Sequence, residues 1–430
     1  MIVAPRLRQC VVYVFIGVLL LDAIELRFTA IAATSLLDLS FDPQPNSSGL
    51  FSARAGRNAI AIQRDGKILV SGIYSDSNAV ARRAIIRLDP DGSLDTTFRG
   101  PTQFIDESNQ RFLIVQPDNK ILVGGTFAAI AGSTFNGIAR LLPDGTLDET
   151  FNPNPGIEPA GCCPQPYAIA FQSNGDIVVS GYFSKVNGLD RRGLARLHSD
   201  GSLDPTFDPI EPGSASAVFS IAIQSDDGIL VGGGFTLRGE KSSRRIARLL
   251  ADGSVDLTFN PSDFDSITAG SVRVIVLQPD GQLLVTAVAA VGPQARSLFR
   301  LREDGSFDTS FDAGILSPAA IAVRPDGRLL IAGGFYELQT WGGYGLVQLL
   351  PDGNWDAGFV SAVDKTGEQK PELFWPEIEF VALQPDGKAI IAGPFDNIEG
   401  VPRPGLARIQ FVPTNHLSQF FFGFGWGNGM

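Results

Sequence analysis

Residues 112–125, FLIVQPDNKILVGG, and residues 138–151, IARLLPDGTLDETF, decide the fold of this chain. Each stretch is two short apolar runs around a tight turn built from Pro, Asp and Gly or Asn. Pro suits the first position of such a turn, Asp the next, and Gly the position where the backbone is left-handed. Two apolar runs joined by so short a turn predict an antiparallel β-hairpin with a Gly bulge.

Both hairpins recur along the chain at spacings of 46 to 60 residues. Four consecutive antiparallel strands in each repeat of that length are typical of a β-propeller blade. No stretch shows the sustained 3.6-residue periodicity that a helical solenoid needs. The first hairpin has seven copies, at residues 60–72, 112–125, 168–181, 220–233, 274–287, 320–333 and 380–393; the second has six, at residues 85–98, 138–151, 194–207, 246–259, 298–311 and 346–359.

The two ends of the repeat region complement each other. Residues 36–41, LLDLSF, match a fourth strand without a third before it, and residues 405–409, GLARI, match a third strand without a fourth. Their pairing would complete a seventh blade and leave no open sheet edge. The sequence therefore predicts an all-β fold: one seven-bladed β-propeller of four-stranded antiparallel blades over residues 35–411, closed by pairing of N- and C-terminal strands. Two smaller propellers would need two closure points. Residues 412–430 are an aromatic and Gly-rich C-terminal tail.

These hairpins resemble the delta-60 repeat family of bacterial β-propeller proteins, whose consensus is similar to ALQPDGKILVGGxF followed by NGIARLNxDGSLDxSF. The resemblance covers roughly residues 35–411, and both hairpins recur in the family's order. It implies an exported or cell-envelope protein and implies no activity. The fifth copy departs from the pattern, because Ala287 and Ala289 stand where other copies have Gly and an aromatic residue.

Residues 1–32 predict a signal peptide. Arg6 and Arg8 precede an apolar run at residues 10–21, which is shorter than the ~20 residues of a membrane span, and Ala30-Ile31-Ala32 fits a cleavage site. Acidic and basic residues between the run and that site leave two alternatives open, an uncleaved anchor and a mis-assigned start codon. We expect export to the extracellular space or to the cell envelope or periplasm, with no membrane span after cleavage.

Composition disfavours most other classes of function. The 430-residue chain has a net charge of −12, which argues against nucleic-acid binding, and only two His and three Cys, which argues against His-centred catalysis and zinc. No GxGxxG or GxxxxGK[ST] motif follows a strand. The turn aspartates superficially resemble a calcium loop, but such sites need six to eight oxygens and turn chemistry explains the Asp-Gly pairs. We expect no cofactor and no metal.

Residues that occur once in every repeat are expected to be structural. With a three-residue turn, Leu88 pairs with Leu94 and Arg87 with Asp95, so each blade would hold a cross-strand Arg–Asp pair. Gly in the second strand is expected to permit a bulge or a close approach between blades, and the aromatic two residues later to pack between blades. The predicted pairs join Arg87, Arg140, Arg196, Arg248, Arg300, Gln348 and Arg408 to Asp95, Asp148, Asp204, Asp256, Asp308, Asp356 and Asp38.

Function is expected in the unrepeated connections. These connections leave the blades at the end opposite to the tight turns, and loops on a rigid scaffold are where binding groups usually lie. The notable ones are residues 101–110, 155–166, 236–244, 336–345 and 360–376. The candidate ligand-contact residues are Trp341, Tyr344, Glu368, Lys370, Phe374 and Trp375.

We therefore expect an exported, non-enzymatic β-propeller that binds or scaffolds through its long-loop face. Its partner would be a protein or carbohydrate ligand, and we expect a monomer. The alternative is an enzyme acting on an extracellular polymer, a glycan hydrolase or lyase, with carboxylates at the central channel. Carboxylates converging there would favour the enzyme, whereas apolar residues would favour binding.

Overall fold

The fold is seen in a computed structural model that describes 27 β-strands in much of the repeat region. Those residues contain no helix, and so no helix long and apolar enough to cross a membrane. Cys162–Cys163, the tail and the signal segment lie outside the described residues. The described residues are 36–43, 60–75, 81–101, 104–105, 110–127, 129–132, 136–153, 156–159, 165–211, 217–238, 244–261, 271–287, 297–313, 316–335, 344–356, 359, 378, 380–393, 395, 397–398, 400–403 and 405–411.

The strands follow the two hairpins of the repeat. They are β1 (Ile60–Ile62), β2 (Ile68–Ser75), β3 (Ala81–Leu88), β4 (Phe104–Ile105), β5 (Gln110–Val115), β6 (Ile121–Gly125), β7 (Ala129–Ile130), β8 (Ile138–Leu141), β9 (Ile157–Pro159), β10 (Gln165–Phe171), β11 (Ile177–Val186), β12 (Leu189–Asp190), β13 (Leu194–Leu197), β14 (Ala217–Ile223), β15 (Ile229–Phe235), β16 (Arg244–Leu249), β17 (Val272–Leu277), β18 (Leu283–Ala287), β19 (Leu298–Leu301), β20 (Leu316–Val323), β21 (Leu329–Phe335), β22 (Tyr344–Leu349), β23 (Phe380–Leu383), β24 (Ala389–Ala392), β25 (Asn397–Ile398), β26 (Val401–Pro402) and β27 (Leu406–Ile409).

Each repeat forms an antiparallel sheet with the order first, second, third strand. We number the sheets along the chain: one (β1–β2–β3), two (β5–β6–β8), three (β10–β11–β13), four (β14–β15–β16), five (β17–β18–β19), six (β20–β21–β22) and seven (β23–β24–β27). Strands β9 and β12 extend sheet three, and β4–β7 and β25–β26 are separate two-stranded pairs. Sheet five is complete despite the departures from the repeat in copy five.

The fourth strand of the sequence prediction is present as a single bridge in each sheet, so the described sheets are three-stranded at their core. Leu88 bridges to Leu94 as predicted, and the equivalent bridge recurs in sheets two to six. The segment then leaves the ladder because Asp95 turns the chain. Its carboxylate accepts hydrogen bonds from the backbone N–H and hydroxyl of Thr97, and its carbonyl accepts the Phe98 N–H. We call this S-L-D-x-x-F stretch the fourth segment.

The fourth segment beside sheet seven comes from the other end of the chain. Leu37 bridges antiparallel to Ile409, the Asp38 N–H donates to the Arg408 carbonyl at 2.9 Å, and the Gln410 N–H donates to the Leu36 carbonyl at 2.8 Å. Strand β23 also contacts β1, so the first strands of sheets seven and one are neighbours.

The apolar core lies between successive sheets. One cluster joins Phe112 and Leu122 of sheet two to Ile177 and Phe183 of sheet three, and another joins Ile68 of sheet one to residues of sheet seven. Burial of each large side chain contributes roughly 1.5–3 kcal/mol. The repeated aromatic residues belong to this core as predicted: Phe127, Phe183, Phe235 and Phe395 are buried.

Candidate functional site

The two tight turns of each sheet lie at one end, which we call the turn end. In sheet one, Lys67 of the first turn places its Nζ 2.8 Å from an Oδ1 of Asp89 in the second turn. The opposite end, where the first strands begin, is the connection end. There the far half of β11 pairs with β9 and β12 of the connections.

The candidate residues predicted in the connections fall almost entirely outside the described residues. Tyr344 is the exception: its backbone begins β22 and pairs with Gly334. The others are Trp341, Glu368, Lys370, Phe374 and Trp375.

At the turn end, the predicted Arg–Asp pairs are all present. The Arg87 Nε lies 2.7 Å from an Asp95 Oδ2, and the pairs at Arg140–Asp148, Arg196–Asp204, Arg248–Asp256, Arg300–Asp308 and Arg408–Asp38 measure 2.7 to 2.8 Å. Gln348, the predicted exception, donates its Nε2 hydrogen to Asp356 at 2.6 Å. The repeat therefore encodes a cross-strand pair on one face of every sheet.

Each of these arginines also bonds to the following sheet. The Arg87 Nη1 donates to the Pro143 carbonyl of the next second turn at 2.6 Å, and the Arg248 Nη1 donates to the Glu303 carbonyl at 2.8 Å. Each guanidinium also lies over the Phe of its own fourth segment, as Arg87 does over Phe98 at 4.7 Å. The remaining acceptors are the carbonyls of Ser199, Ala251, Pro351 and Pro90, for Arg140, Arg196, Arg300 and Arg408.

These contacts satisfy the buried carboxylates. Burial raises the pKa of Asp148, but hydrogen bonds from Thr150, Lys120 and Arg140 outweigh burial and lower that pKa to about 2. The pKa of Asp204 is lowered to about 2 in the same way, by Thr206 and Arg196. Among the described residues no group of three His, Cys, Asp or Glu side chains could hold a metal ion. The turn end is thus built from charges that the fold itself uses.

Sheet six has a different arrangement at the same place. Arg324 stands at the end of its first strand, where other sheets have Gln, and its Nη1 donates to the Gln348 Oε1 at 2.7 Å. The Arg324 guanidinium lies 4.0 Å from the centre of the Phe411 ring. The Arg328 Nε lies 3.2 Å from an Asp356 Oδ2. Arginine and glutamine have therefore exchanged positions in this sheet.

At the connection end, five of the seven first strands carry β-bulges, as the second-strand glycines predicted. The ladder shifts register between Pro166 and Ala168 in β10 and between Val218 and Ser220 in β14. A Cβ on Gly181 would come within 2.2 Å of the Gln165 carbonyl oxygen, so this close approach needs glycine. The same shift occurs in β5, β17 and β20, and β17 makes it opposite Ala287.

The bulges single out one residue in each of five first strands. They are Arg111, Tyr167, Phe219, Arg273 and Ala319. A bulged residue is unpaired in the ladder, and bulges beside functional sites re-aim a side chain. Sequence reasoning missed these residues because they differ from copy to copy. The sequence could have indicated them by position, because each lies five residues before the Gln or Arg that opens the first turn.

Three of the bulged side chains form a continuous row across sheets three, four and five. The ring centres of Tyr167 and Phe219 lie 5.2 Å apart, and the Arg273 guanidinium lies 5.6 Å from the Phe219 ring centre. Tyr167 and Phe219 are half-buried and Arg273 is exposed. The Tyr167 hydroxyl donates to the Gln165 Oε1 at 2.7 Å. We call Tyr167, Phe219 and Arg273 the bulge row.

The repeats that place the bulge row match a known family model seven times. The match is to the β-propeller domain of unknown function DUF5122, and it covers more than half of the chain. The chain belongs to the DUF5122 β-propeller family. The matched residues are 63–98, 116–151, 172–207, 224–259, 278–311, 324–359 and 384–410.

Solved structures similar to this DUF5122 propeller include proteins of different activities. A catalytically inactive virginiamycin B lyase of Staphylococcus aureus is 15% identical with a TM-score of 0.46, covering 85% of this chain and 98% of that one. PorZ, a surface component of the type-IX secretion system of Porphyromonas gingivalis, is 13% identical with a TM-score of 0.47. The match covers 87% of this chain and 48% of PorZ. A PL25 ulvan lyase is 12% identical with a TM-score of 0.42. The match covers 84% of this chain and 92% of the lyase.

At these scores and identities none of the three bears on the function of the DUF5122 propeller, and this chain spans about half the length of PorZ. A comparison with curated proteins finds no match.

Proposed function

We propose that this DUF5122 propeller is an exported, non-enzymatic binding or scaffold protein whose ligand contacts the connection end. The observation that carries the proposal is the bulge row, in which two half-buried rings and an exposed guanidinium lie side by side. Aromatic and arginine side chains held on rigid strands are the groups that most often anchor a ligand. Trp341, Tyr344, Glu368, Lys370, Phe374 and Trp375 are further ligand-contact candidates in the connections.

The proposal includes a closed ring of seven blades. Three observations support closure: the Leu37–Ile409 bridge, the contact between β1 and β23, and the apolar cluster that joins sheets seven and one. In such a ring the first strands line the centre, and each fourth segment completes its blade as a fourth strand shortened to one bridge. A ring also gives the bulge row a rigid frame.

The composition of the first strands favours binding over the alternative, a hydrolase or lyase acting on an extracellular polymer. Their described residues are mainly apolar, with Gln, Arg, Tyr and Ser as the polar members. A glycan hydrolase would need paired carboxylates at the centre of the ring.

Export is supported by the signal-peptide pattern of residues 1–32, and N-terminal sequencing of the secreted protein tests it. We expect the mature protein to be a monomer, which light scattering tests.

The test is a survey of glycan and peptide arrays with the purified protein and two variants. Phe219→Ala removes the centre of the bulge row, and Trp355→Ala removes an exposed aromatic at the turn end as the matched control. We expect bound ligands to be lost with Phe219→Ala and kept with Trp355→Ala. Equal binding by both variants would contradict a ligand site at the connection end, and conversion of a bound glycan to product would favour the enzyme.

A further inference from the structure

We propose that the bulge row binds an acidic glycan, with the sugar carboxylate on Arg273 and the ring of an adjacent sugar against the aromatic side chains. This inference rests on the proposed function, because it names the ligand class of the same site.

Arg273 is the group that selects an anion. Its side chain is exposed, and no carboxylate among the described residues pairs with it; its contact is the Phe219 ring. This differs from Arg87 and its counterparts at the turn end, whose guanidinium groups are used by an Asp of their own sheet. A guanidinium has five N–H donors in a planar fork that matches a carboxylate with two parallel hydrogen bonds. Within the part of the chain that the structure describes, the donors of Arg273 are thus available for a ligand.

The distribution of charge allows an acidic ligand despite the net charge of −12. The repeated aspartates lie in the tight turns and fourth segments, hence at the turn end, where Arg and Lys neutralise the buried ones. The connection end carries Arg273 in the bulge of β17 and Arg111 in the equivalent bulge of β5. The two arginines bracket Tyr167 and Phe219 in the order of the sheets. The connection end therefore offers Arg273 beside the two rings as a cation for an acidic ligand.

The rest of the row matches a sugar better than a peptide. A pyranose presents an apolar C–H face to an aromatic ring and hydroxyl groups at its edge, and the Tyr167 hydroxyl and Gln165 amide lie beside the rings. The row also has a regular spacing, because each member comes from the same backbone position of consecutive sheets, at 5.2 and 5.6 Å from its neighbour. Regularly spaced contacts suit a polymer of repeated units. A peptide with varied side chains would need pockets of varied shape.

The row is held in place before any ligand binds. The bulges of β10 and β14 are fixed by the register of the ladders and by the close approach at Gly181 and Gly233. The Tyr167–Gln165 hydrogen bond and the Arg273–Phe219 contact then fix the side chains. Groups ordered in advance lose little conformational entropy on binding, which raises affinity.

The experiment measures the affinity of the purified protein for oligomers of galacturonate, glucuronate and mannuronate, and for the same oligomers with their carboxyl groups reduced to alcohols. The variant is Arg273→Gln, which keeps a polar side chain and loses the charge. The control is Arg302→Gln, an exposed arginine at the turn end. Because Arg273 is exposed, thermal melts are expected to show both variants folded.

We expect one of the acidic oligomers to bind, and its affinity to fall at least tenfold on carboxyl reduction and at least tenfold with Arg273→Gln, with Arg302→Gln unchanged. Added salt should weaken the binding. Equal affinity for acidic and reduced forms, no effect of Arg273→Gln, or no binding by any of the three acids would overturn the inference. If a neutral glycan or a peptide binds instead and Phe219→Ala abolishes that binding, the inference fails and the proposed function stands. If no array ligand depends on Phe219, both fail.

Discussion

Sheets three and six provide the Asp of the fourth segment with different hydrogen-bond donors. In sheet three, Arg196 donates to Asp204 of its own fourth segment, to Gln172 of the first strand, and to the Ala251 carbonyl in the turn of sheet four. In sheet six, Gln348 takes the place of the arginine and Arg324 the place of the glutamine. The pair keeps one guanidinium and one amide, with their positions exchanged.

The exchange in sheet six shows that the repeated residues of one sheet change where the sheet that follows it is built differently. The sheet that follows sheet six is sheet seven, whose third strand ends at Ile409 and whose fourth segment begins near Leu36. No tight turn joins them, so among the residues that the structure describes no turn carbonyl stands there to accept from an arginine at position 348. Phe411 lies there instead, and a guanidinium at Arg324 packs on its ring. We infer that the exchange of Arg and Gln follows from the meeting of distant chain segments.

The largest expected effect is that of Arg196→Gln, which gives sheet three the glutamine of sheet six without the compensating arginine. Asp204 is buried and would keep no cationic partner among the described residues, and Asp176 lies near Arg196. Breaking such a pair by removing one member costs roughly 3–5 kcal/mol. We expect the free energy of unfolding in urea to fall by about that amount.

Arg140→Gln is the matched comparison in sheet two. There the Lys120 Nζ lies 3.1 Å from an Asp148 Oδ2 and stays as a cationic partner after the substitution. The loss should be clearly smaller than for Arg196→Gln. Equal losses in the two sheets would mean that the charge on Asp204 is not what Arg196 stabilises.

The next effect is a loss of stability in acid. The pKa values of Asp148 and Asp204 lie at about 2 in the folded protein, below their ordinary value of 3.8. A carboxylate with a lowered folded pKa stabilises the fold above pH 4 and loses that contribution as the pH falls towards 2. We expect the free energy of unfolding to fall by about 1–2 kcal/mol per carboxylate over this range. Asp148→Asn should make that slope shallower, and an unchanged slope would contradict the assignment.

The smallest effect is expected from Phe411→Leu. Leucine keeps an apolar side chain beside Arg324 and removes the ring on which the guanidinium lies. A cation–π contact of this kind contributes roughly 0.5–2 kcal/mol. Stability should fall by about 1 kcal/mol in the wild-type chain and change little when Arg324 is already glutamine. A similar loss in both backgrounds would show that the ring acts by packing alone.

The sequence predicts well the features that lie within a single repeat, namely its turns, its strand register and its cross-strand pairs. The turn residues set the register of each hairpin, and the register alone placed Arg87 opposite Asp95 and Leu88 opposite Leu94. The second-strand glycines indicated the bulges because a strand tolerates Gly where another backbone comes close. The four-stranded blade was the less accurate prediction, since Asp95 and Thr97 turn the fourth segment out of the ladder after one bridge.

What the sequence did not predict depends on contacts between repeats. The bond from Arg196 to the Ala251 carbonyl requires the relative position of two sheets, which no pattern within one repeat encodes. The sequence did not indicate the bulge row, because its residues differ in type from one repeat to the next. Their position before the first turn is nevertheless the same in each repeat: Tyr167, Phe219 and Arg273. The candidates predicted from loop composition, Trp341 and Trp375 among them, lie outside the described residues.

The most direct test of the account is a double-mutant cycle on Arg324→Gln and Gln348→Arg, read as the free energy of unfolding. Each single variant should lose about 1–3 kcal/mol, because one removes the hydrogen bond between the two side chains and the other places two guanidinium groups together. The double variant restores the pattern of the other sheets and should recover most of this loss. It should stay less stable than the wild type, because the described part of sheet seven has no turn carbonyl to accept from position 348. A double variant as stable as the wild type, or losses that simply add, would contradict the account.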